Sequence, residues 1–356
     1  MSMNINQLLQ LTVDRNASDL HLVVGTPPCI RIDGILYSVP GEEVLTTEIV
    51  DEHLKKILNA EQLGRLSVNK EIDFSLHFSQ KARFRANAYT QRGRPSVAFR
   101  MIPYEIPAID KLELPKILHS FTNLRQGLIL VTGPTGHGKS TTLAAMIDEI
   151  NANRAVHIIT IEDPIEFIFK PRQAIISQRE MHNDTHSWST ALRSALREDP
   201  DVVLIGEMRD YETIASALTV AETGHLVFAT LHTNSAAQTI DRVVDVFPED
   251  QQDQVKLQLS NVLEAVFSMR LVLAVAGGRH PAYEIMLATT AIKTAIRDGK
   301  THQIDSIIQT SQEVGMLNLD YTLAKLVRDG KVAMEVAQSY SLRPEELIRL
   351  VKSDKT

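Results

Sequence analysis

Nine consecutive residues, GPTGHGKST at 133–141, have the types and spacing that bind phosphate. They match the P-loop pattern G-x-x-x-x-G-K-[ST]. In such a loop, backbone N–H groups and the following helix N-terminus attract phosphate oxygens. Lys139 is expected to reach the β- and γ-phosphates, and the Ser140 hydroxyl to be a ligand of Mg²⁺. The sequence thus predicts an ATP and Mg²⁺ site, with nucleotide contacts from Gly133, Pro134, Thr135, Gly136, His137, Gly138, Lys139, Ser140 and Thr141.

The residues around this loop are those of a strand before it and a helix after it. Residues 128–131, LILV, form an apolar run typical of a buried strand. After the loop, Leu143, Met146 and Ile150 recur at helical spacing. Because the glycine pattern is specific only between a strand and a helix, this context favours a true phosphate loop over a chance glycine turn.

A carboxylate follows the apolar run VVLI at 202–205. Glu207 comes after this predicted strand, whereas Asp201 precedes it. Ligands of open α/β sheets gather at the carboxyl ends of the strands, so Glu207 is the acid at the correct end. We predict that it holds Mg²⁺ or its water, as a Walker B acid does. The alternative is that Glu207 only pairs with Arg209.

Three more carboxylates follow the predicted strand at 157–161. Glu162, Asp163 and Glu166 surround Pro164. Close to a triphosphate, such groups could contact the nucleotide, orient Mg²⁺ or hold the attacking water. An acidic, solvated loop is the equally good alternative from the spacing alone.

A histidine follows the apolar strand predicted at 226–229. His232 lies in the segment LHTN. An imidazole at this edge of the sheet can hydrogen-bond a γ-phosphate. The residues alone favour the alternative, a capping or core histidine.

Several arginines lie on the late strands predicted for the first hundred residues. Alternation places Arg83 and Arg85 opposite Phe84, on a strand face expected to be solvated. They are either part of an ordinary polar surface or arginine fingers that reach a nucleotide on a neighbouring subunit.

Composition limits the possible functions. The 356 residues predict two domains, and 44% of them are hydrophobic, enough for a sizeable core. A formal net charge of −7 gives no reason to expect nucleic-acid binding. The single cysteine, Cys29, excludes an intramolecular disulfide and a cysteine-rich zinc module. With no secretory signal and no membrane span evident, we expect a soluble cytoplasmic protein.

The first domain is predicted at residues 1–102. Its strands follow one another, with strict alternation at 72–78 and a hairpin turn at Asp33-Gly34, which indicates an antiparallel sheet. Residues 46–66 are predicted to form one helix between these strands. Pro103, Pro107 and Pro115 mark a linker at 103–116.

The second domain is predicted at residues 117–356. Strands at 128–131, 157–161, 202–205 and 226–229 alternate with helical patterns, so the fold class is α/β with a mainly parallel sheet. From about residue 291 the pattern is largely helical. Within that part, Arg297 and Lys300 are expected on one helix face, with Ile292 and Ile296 offering apolar contact for a partner. The alternative is a helix end that packs on its own domain.

Six long motifs, in the right order, resemble those of type IV pilus retraction ATPases in the type II/IV secretion ATPase superfamily. The resemblance covers nearly the whole chain. The matching segments are ASDLHL at 17–22, the P-loop, IEDPIEF at 161–167, ALREDPDVVLIGEMRD at 195–210, TGHLVFATLHTNSA at 223–236 and IRDGKTHQI at 296–304.

The resemblance implies a PAS-like first domain, a RecA-like ATPase domain and a homohexameric ring with nucleotide between subunits. It implies that Glu166 is the catalytic base, Glu207 the Walker B acid and His232 the γ-phosphate sensor. It further implies Mg²⁺-dependent ATP hydrolysis that powers pilus retraction and twitching motility. The expected partners are an inner-membrane pilus platform protein and a retraction paralogue, and the expected location is cytoplasmic and peripheral at that membrane.

Two positions depart from the family pattern. His137 stands where the family usually has serine, so it could crowd the phosphate entrance, and Lys293 stands where an arginine is usual. Two alternative functions stay open from the sequence. One is an ATPase of a related secretion system, and the other is a regulatory ring that binds nucleotide without hydrolysing it.

Overall fold

The computed structural model describes residues 3–32, 34–78, 82–103 and 105–353. The chain forms two compact units. The first comprises Met1–Glu105 and Glu166–Ile168, and the second comprises Ile106–Ile165 and Phe169–Thr356. A short segment of the acidic motif at 161–167 is thus grouped with the first unit.

The first unit is built on a six-stranded antiparallel sheet in the order β3-β2-β1-β6-β5-β4. Its core lies where the alternating apolar side chains of the strands meet the helices, and Phe84 contacts Phe99 edge to face there. The elements are α1 (Ile5–Asp14), β1 (Asp19–Val23), β2 (Cys29–Ile32), β3 (Ile35–Ser38), α2 (Thr47–Ile57), α3 (Ala60–Asn69), β4 (Glu71–Phe78), β5 (Ala82–Gln91) and β6 (Arg94–Pro103).

The single helix predicted at 46–66 is wrong, because the segment forms two helices, α2 and α3. The Asn59 side chain accepts a hydrogen bond from the Gln62 backbone N–H at 2.8 Å, and the Gln62 side-chain oxygen accepts one from the Asn59 backbone N–H at 3.0 Å. This capping box starts a new helix at Ala60. In the predicted hairpin turn, Asp33 lies outside the described residues, and Gly34 adopts a φ of +84° between β2 and β3.

The second unit is built on a seven-stranded sheet in the order β13-β12-β7-β11-β10-β8-β9. All neighbouring strands are parallel except β12 and β13. The strands are β7 (Gly127–Thr132), β8 (His157–Glu162), β9 (Ile175–Glu180), β10 (Val202–Ile205), β11 (Leu226–Leu231), β12 (Leu263–Leu273) and β13 (Arg279–Leu287). The α/β fold class is therefore confirmed, while β9, β12 and β13 were missed by the sequence patterns.

Helices cover this sheet and bury its apolar side chains. The P-loop joins β7, buried over its whole length, to α5. Because β7, β8, β10 and β11 are parallel, the segments that follow them share one edge of the sheet. The helices are α4 (Leu118–Thr122), α5 (Lys139–Asn153), α6 (Trp188–Ala195), α7 (Tyr211–Glu222), α8 (Ala236–Asp245) and α9 (Glu249–Val262).

The remaining helices are α10 (Thr290–Arg297), α11 (Ile304–Thr310), α12 (Leu319–Arg328), α13 (Met334–Tyr340) and α14 (Pro344–Ser353). The expected surface role of Ile292 and Ile296 is wrong, because both side chains are fully buried in the core of this unit. Lys300 lies beyond the end of α10, so it does not share a helix face with Arg297. Within the ranges that the structure describes, every helix is too short or too polar to cross a membrane.

Candidate active site

The P-loop is shaped by glycines in backbone conformations that other residues rarely adopt. Gly133 has a φ of +140°, and a Cβ atom built on it would lie 2.2 Å from the Met269 carbonyl oxygen. Gly138, with a φ of +91°, immediately precedes α5. These positions therefore require glycine, both for backbone freedom and, at Gly133, for the close approach of β12.

Lys139 is buried at the start of α5, and its ammonium group contacts its own loop. Its Nζ donates to the carbonyl oxygens of Gly133, at 2.8 Å, and Pro134, at 3.0 Å. The side chain is thereby folded back onto the loop that is predicted to bind phosphate. Ser140 and Thr141 follow it in the first turn of the helix.

Three strand ends meet at this loop through one histidine. His232, which follows β11, has its Nδ1 3.5 Å from Lys139 Nζ and 3.3 Å from the Thr135 hydroxyl. Its Nε2 lies 3.1 Å from Glu207 Oε1. A neutral imidazole with its proton on Nε2 satisfies all of these contacts, accepting at Nδ1 and donating to Glu207. The structure therefore brings together Lys139, His232 and Glu207, which the sequence placed in one site.

Glu207 is paired on both of its carboxylate oxygens. Arg209 Nη2 lies 2.7 Å from Oε2, so the ion pair considered as an alternative exists alongside the contact with His232. Burial by itself would raise the pKa of Glu207, but the hydrogen bonds from Arg209 and His232 and the charge of Arg209 outweigh it and lower the pKa. Glu207 is consequently a carboxylate near neutral pH, as a Walker B acid must be.

Close packing explains why glycine, Gly206, precedes Glu207. A Cβ atom on Gly206 would lie 3.2 Å from the Glu162 Cα, and the Thr230 hydroxyl donates to the Gly206 carbonyl. The ends of β8, β10 and β11 are thus packed together next to Glu207.

The three carboxylates predicted after β8 lie in different environments. Glu162 is buried and accepts from the Thr160 hydroxyl at 2.7 Å and from Gln178 Nε2 at 3.3 Å. Asp163 is exposed, and its charge adds to the hydrogen bond and charge of Glu207 in raising the pKa of Arg209. Glu166 is half-buried in the segment grouped with the first unit.

The expectation of a solvated face for Arg83 is wrong. Arg83 is only 5% exposed, and its Nη2 donates to the Ser75 hydroxyl at 2.7 Å on the neighbouring strand β4. Arg85 is half-buried on the same face of β5. Alternation correctly separated this face from that of Phe84, but it cannot reveal whether a strand face is covered.

His137 is held against β12. Its Nδ1 accepts a hydrogen bond from the Leu271 backbone N–H at 2.9 Å. Arg279 Nη1, on β13, donates to the Gly136 carbonyl at 3.2 Å. Leu271, Arg279 and Met269 were missed as neighbours of the P-loop, since finding them requires knowing that β12 lies beside β7.

The donor set suits Mg²⁺ only in company with a nucleotide. Among the described residues, no group of three or more histidine, cysteine, aspartate or glutamate side chains is placed to hold a metal ion. Mg²⁺ bound to a nucleotide needs only one or two protein oxygens, since phosphates and water fill its remaining positions. The Ser140 hydroxyl and the Glu207 carboxylate have this chemistry.

A P-loop before α5, an acid after β10 and a histidine after β11, on one edge of a mainly parallel sheet, define a RecA-like P-loop nucleotide-binding protein. The chain belongs to the type II/IV secretion system protein family, whose profile matches residues 1–337.

Several relatives carry informative names. A Pseudomonas aeruginosa protein named "Type IV pilus retractation ATPase PilT" is 47% identical, over 96% of this chain and 99% of its own. A Neisseria gonorrhoeae "Twitching motility protein" is 44% identical, over 97% of this chain and 92% of its own. The crystal structure of the pilus retraction motor PilT with bound ADP superposes with a TM-score of 0.92, at 44% identity, over 98% of this chain and all of that one.

Proposed function

We propose that this protein is a Mg²⁺-dependent ATPase that powers the retraction of type IV pili and hence twitching motility. The observation that carries the chemistry is the continuous series Lys139, His232 and Glu207 across three adjacent strand ends. The names of the relatives, which match this chain almost from end to end, support the link to pili.

The P-loop accounts for binding of the nucleotide. Its backbone N–H groups and the N-terminus of α5 attract the phosphates, and Lys139 neutralises their charge. Ser140 and Glu207 would hold Mg²⁺, directly or through water, and the ion would neutralise charge that develops on the transferred phosphoryl group.

Hydrolysis needs a group that orients the attacking water and a group that detects the γ-phosphate. We assign the first task to Glu166 and the second to His232. His232 suits its task because it contacts both Thr135 of the P-loop and Glu207. A shift of the P-loop would therefore move His232 and alter its contact with Glu207. Glu162, at the end of β8, and Asp163, directly after it, lie at the same edge of the sheet. Glu162 is buried there.

We further propose that six copies form a ring in which nucleotide binds between subunits, with Arg85 contributing from the first unit. The ring would act in the cytoplasm, at the inner membrane, on a pilus platform protein, with a retraction paralogue as a further partner. A closed ring suits this work because each head-to-tail interface places one subunit against the nucleotide of the next.

Two substitutions separate binding from hydrolysis. Lys139→Ala is expected to abolish ATP binding, since it removes the charge that faces the phosphates. Glu166→Gln is expected to leave binding intact and to lower phosphate release by about 10²-fold or more, the usual contribution of a positioned base. Nucleotide affinity and steady-state phosphate release decide between these effects, with Asp163→Asn as the control for loss of a nearby carboxylate.

Near wild-type turnover in Glu166→Gln would move the base elsewhere. Absence of any phosphate release from the wild-type protein would instead favour a regulatory ring. In cells, deletion of the gene is expected to leave surface pili abundant and twitching absent, whereas a secretion ATPase would leave twitching intact.

A further inference from the structure

Strand β12 extends beyond the end of its neighbour β7 at the P-loop. The register pairs Ser268 of β12 with Thr132, the last residue of β7, yet β12 continues to Leu273. After Thr132 the chain leaves the sheet as the P-loop, so among the described residues no strand pairs with β12 on that side beyond Ser268. Its polar groups there need other partners, because an unpaired backbone N–H in a packed region is costly.

His137 supplies one of them. The Leu271 N–H donates to His137 Nδ1 at 2.9 Å, so an imidazole nitrogen replaces the carbonyl that a neighbouring strand would offer. Only an unprotonated nitrogen can accept such a bond. Burial and the nearby charges of Arg279, Arg270 and Lys139 lower the pKa of His137, so the ring is neutral near pH 7.

The same region of the loop is contacted from β13 and α13. Arg279 Nη1 donates to the Gly136 carbonyl at 3.2 Å. The Tyr340 ring lies edge to face with His137 at 6.2 Å between centroids, and the Tyr340 carbonyl accepts from Arg270 Nη1 at 2.7 Å. The loop tip at 136–137 is therefore connected to the C-terminal helices as well as to the sheet.

We propose that His137 is a positioning residue for nucleotide binding, whose Nδ1 substitutes for a strand partner of Leu271 and fixes the loop tip against β12, β13 and α13. The inference rests on the proposed function, since it assumes that nucleotide binds at this loop. Backbone N–H groups stabilise phosphate best when they are already held in place, so a loosened tip weakens binding. Lys139 and Glu207 stay where they are, so the effect on KM exceeds that on kcat.

The test compares His137→Ala, His137→Asn and His137→Gln. Asparagine carries its acceptor oxygen at about the place of Nδ1, whereas glutamine carries it one carbon farther out. The Kd for ADP and the KM for ATP are expected to rise about tenfold in the alanine variant, the usual effect of one lost hydrogen bond with some loss of order. The asparagine variant is expected to recover most of this loss, and the glutamine variant little of it.

His302→Ala, which removes an exposed histidine elsewhere in the same unit, is the matched control. An unchanged Kd in His137→Ala would overturn the proposal, and so would an asparagine variant no better than alanine. If the alanine variant fails to fold by circular dichroism, the difference between asparagine and glutamine still decides. A wild-type protein that binds no ADP would contradict the proposed function itself, before any variant is compared.

Discussion

His232 Nε2 lies 3.1 Å from one oxygen of the Glu207 carboxylate, and Arg209 Nη2 lies 2.7 Å from the other. The acid is therefore oriented from two sides, by a group linked to the P-loop and by a mostly exposed arginine. Hydrogen bonds from charged donors hold a carboxylate more firmly than neutral ones do. This arrangement fixes the direction in which Glu207 can face a metal ion or a water molecule.

Loss of Arg209 is expected to make activity more sensitive to acid. In Arg209→Ala, burial opposes only the influence of His232, so the pKa of Glu207 rises. A carboxylate with a raised pKa is protonated at higher pH, so the acid limb of the pH profile of kcat should move to higher pH. Phosphate release measured from about pH 4 to pH 8.5 checks this, because the pKa of Glu207 in the wild type is lowered from 4.5.

Arg172→Ala is the matched control, because Arg172 forms a similar ion pair with Asp148, at 2.8 Å, away from the strand ends. An acid limb in the same place for Arg209→Ala and wild type would contradict the assignment of that limb to Glu207. Glu207→Gln, by comparison, is expected to lower kcat by about 10²- to 10³-fold at every pH, since a key electrostatic contact is gone.

Much of the catalytic edge could be predicted from the sequence, because it depends on local patterns. The P-loop, Glu207 and His232 each follow an apolar run, and parallel strands must bring such positions to one edge. Leu271 and Arg279 could not be found in this way. Their approach to the loop depends on β12 lying next to β7, a pairing across more than 130 residues of chain.

Burial was likewise hard to predict. Strand alternation correctly places Arg83 on the face opposite Phe84, and helical spacing correctly groups Ile296 with Ile292, yet both Arg83 and Ile296 are buried. Neither pattern tells which faces another element covers, since that is decided by tertiary packing. The break between α2 and α3, in contrast, had a local signal in Asn59 and Gln62 that a search for capping boxes would detect.

Glu284 is expected to make the stability of the second unit depend on pH. The side chain is almost fully buried on β13, and it accepts from the Ala236 N–H, at the start of α8, at 2.6 Å. Burial raises the pKa of Glu284 to about 7, although this hydrogen bond opposes the rise. The folded state thus binds the proton more tightly than the unfolded state, in which the pKa of Glu284 is near 4.5.

This difference in pKa decides whether stability rises or falls with pH. Between about pH 4.5 and pH 7 the folded state holds more protons, so stability is fully present at the acid end and falls as pH rises. The total change is on the order of 3 kcal/mol. Glu284→Gln keeps an acceptor for Ala236 but cannot ionise, so it should remove this slope and be more stable than wild type at pH 8.

Thermal unfolding at pH 5, 6, 7 and 8 measures the effect, with the exposed Glu313→Gln as the control for loss of a charge. Parallel pH profiles for Glu284→Gln and wild type would show that Glu284 ionises alike in both states, against the expectation.

Assembly in trans is best tested with Arg85. Arg83 is buried and bonded to Ser75, so Arg83→Ala would disturb the first unit as well as any contact beyond it. Arg85→Ala is expected to lower turnover while ATP still binds. Mixing it with Lys139→Ala protein should restore some activity, because one intact composite site can form in a mixed ring.

The exposed Arg65→Ala, on α3 of the same unit, is the control, and it is expected to need no complementation. Mixed samples with no more activity than the sum of their components would indicate that Arg85 acts within its own subunit or has no part in the site.

Residues 296–304 provide the last prediction, which separates hydrolysis from mechanical work. Ile296 is fully buried, so Ile296→Ala would leave a cavity and cost about 2–5 kcal/mol of stability. Arg297 is about half exposed at the end of α10 and contacts only Asp298 at 3.8 Å among the ion pairs of the described residues. Arg297 alone therefore tests whether this segment transmits motion of the ring to the pilus platform.

Arg297→Ala is expected to keep the unfolding temperature and most of the ATPase activity of wild type while abolishing twitching, because it removes an exposed charge and no core contact. The exposed Arg349→Ala, on α14 and outside the tested segment, is the matched control. Twitching on agar, phosphate release and thermal unfolding are measured for both variants. If Arg297→Ala loses ATPase activity in proportion to motility, the segment supports the fold and does not couple hydrolysis to retraction.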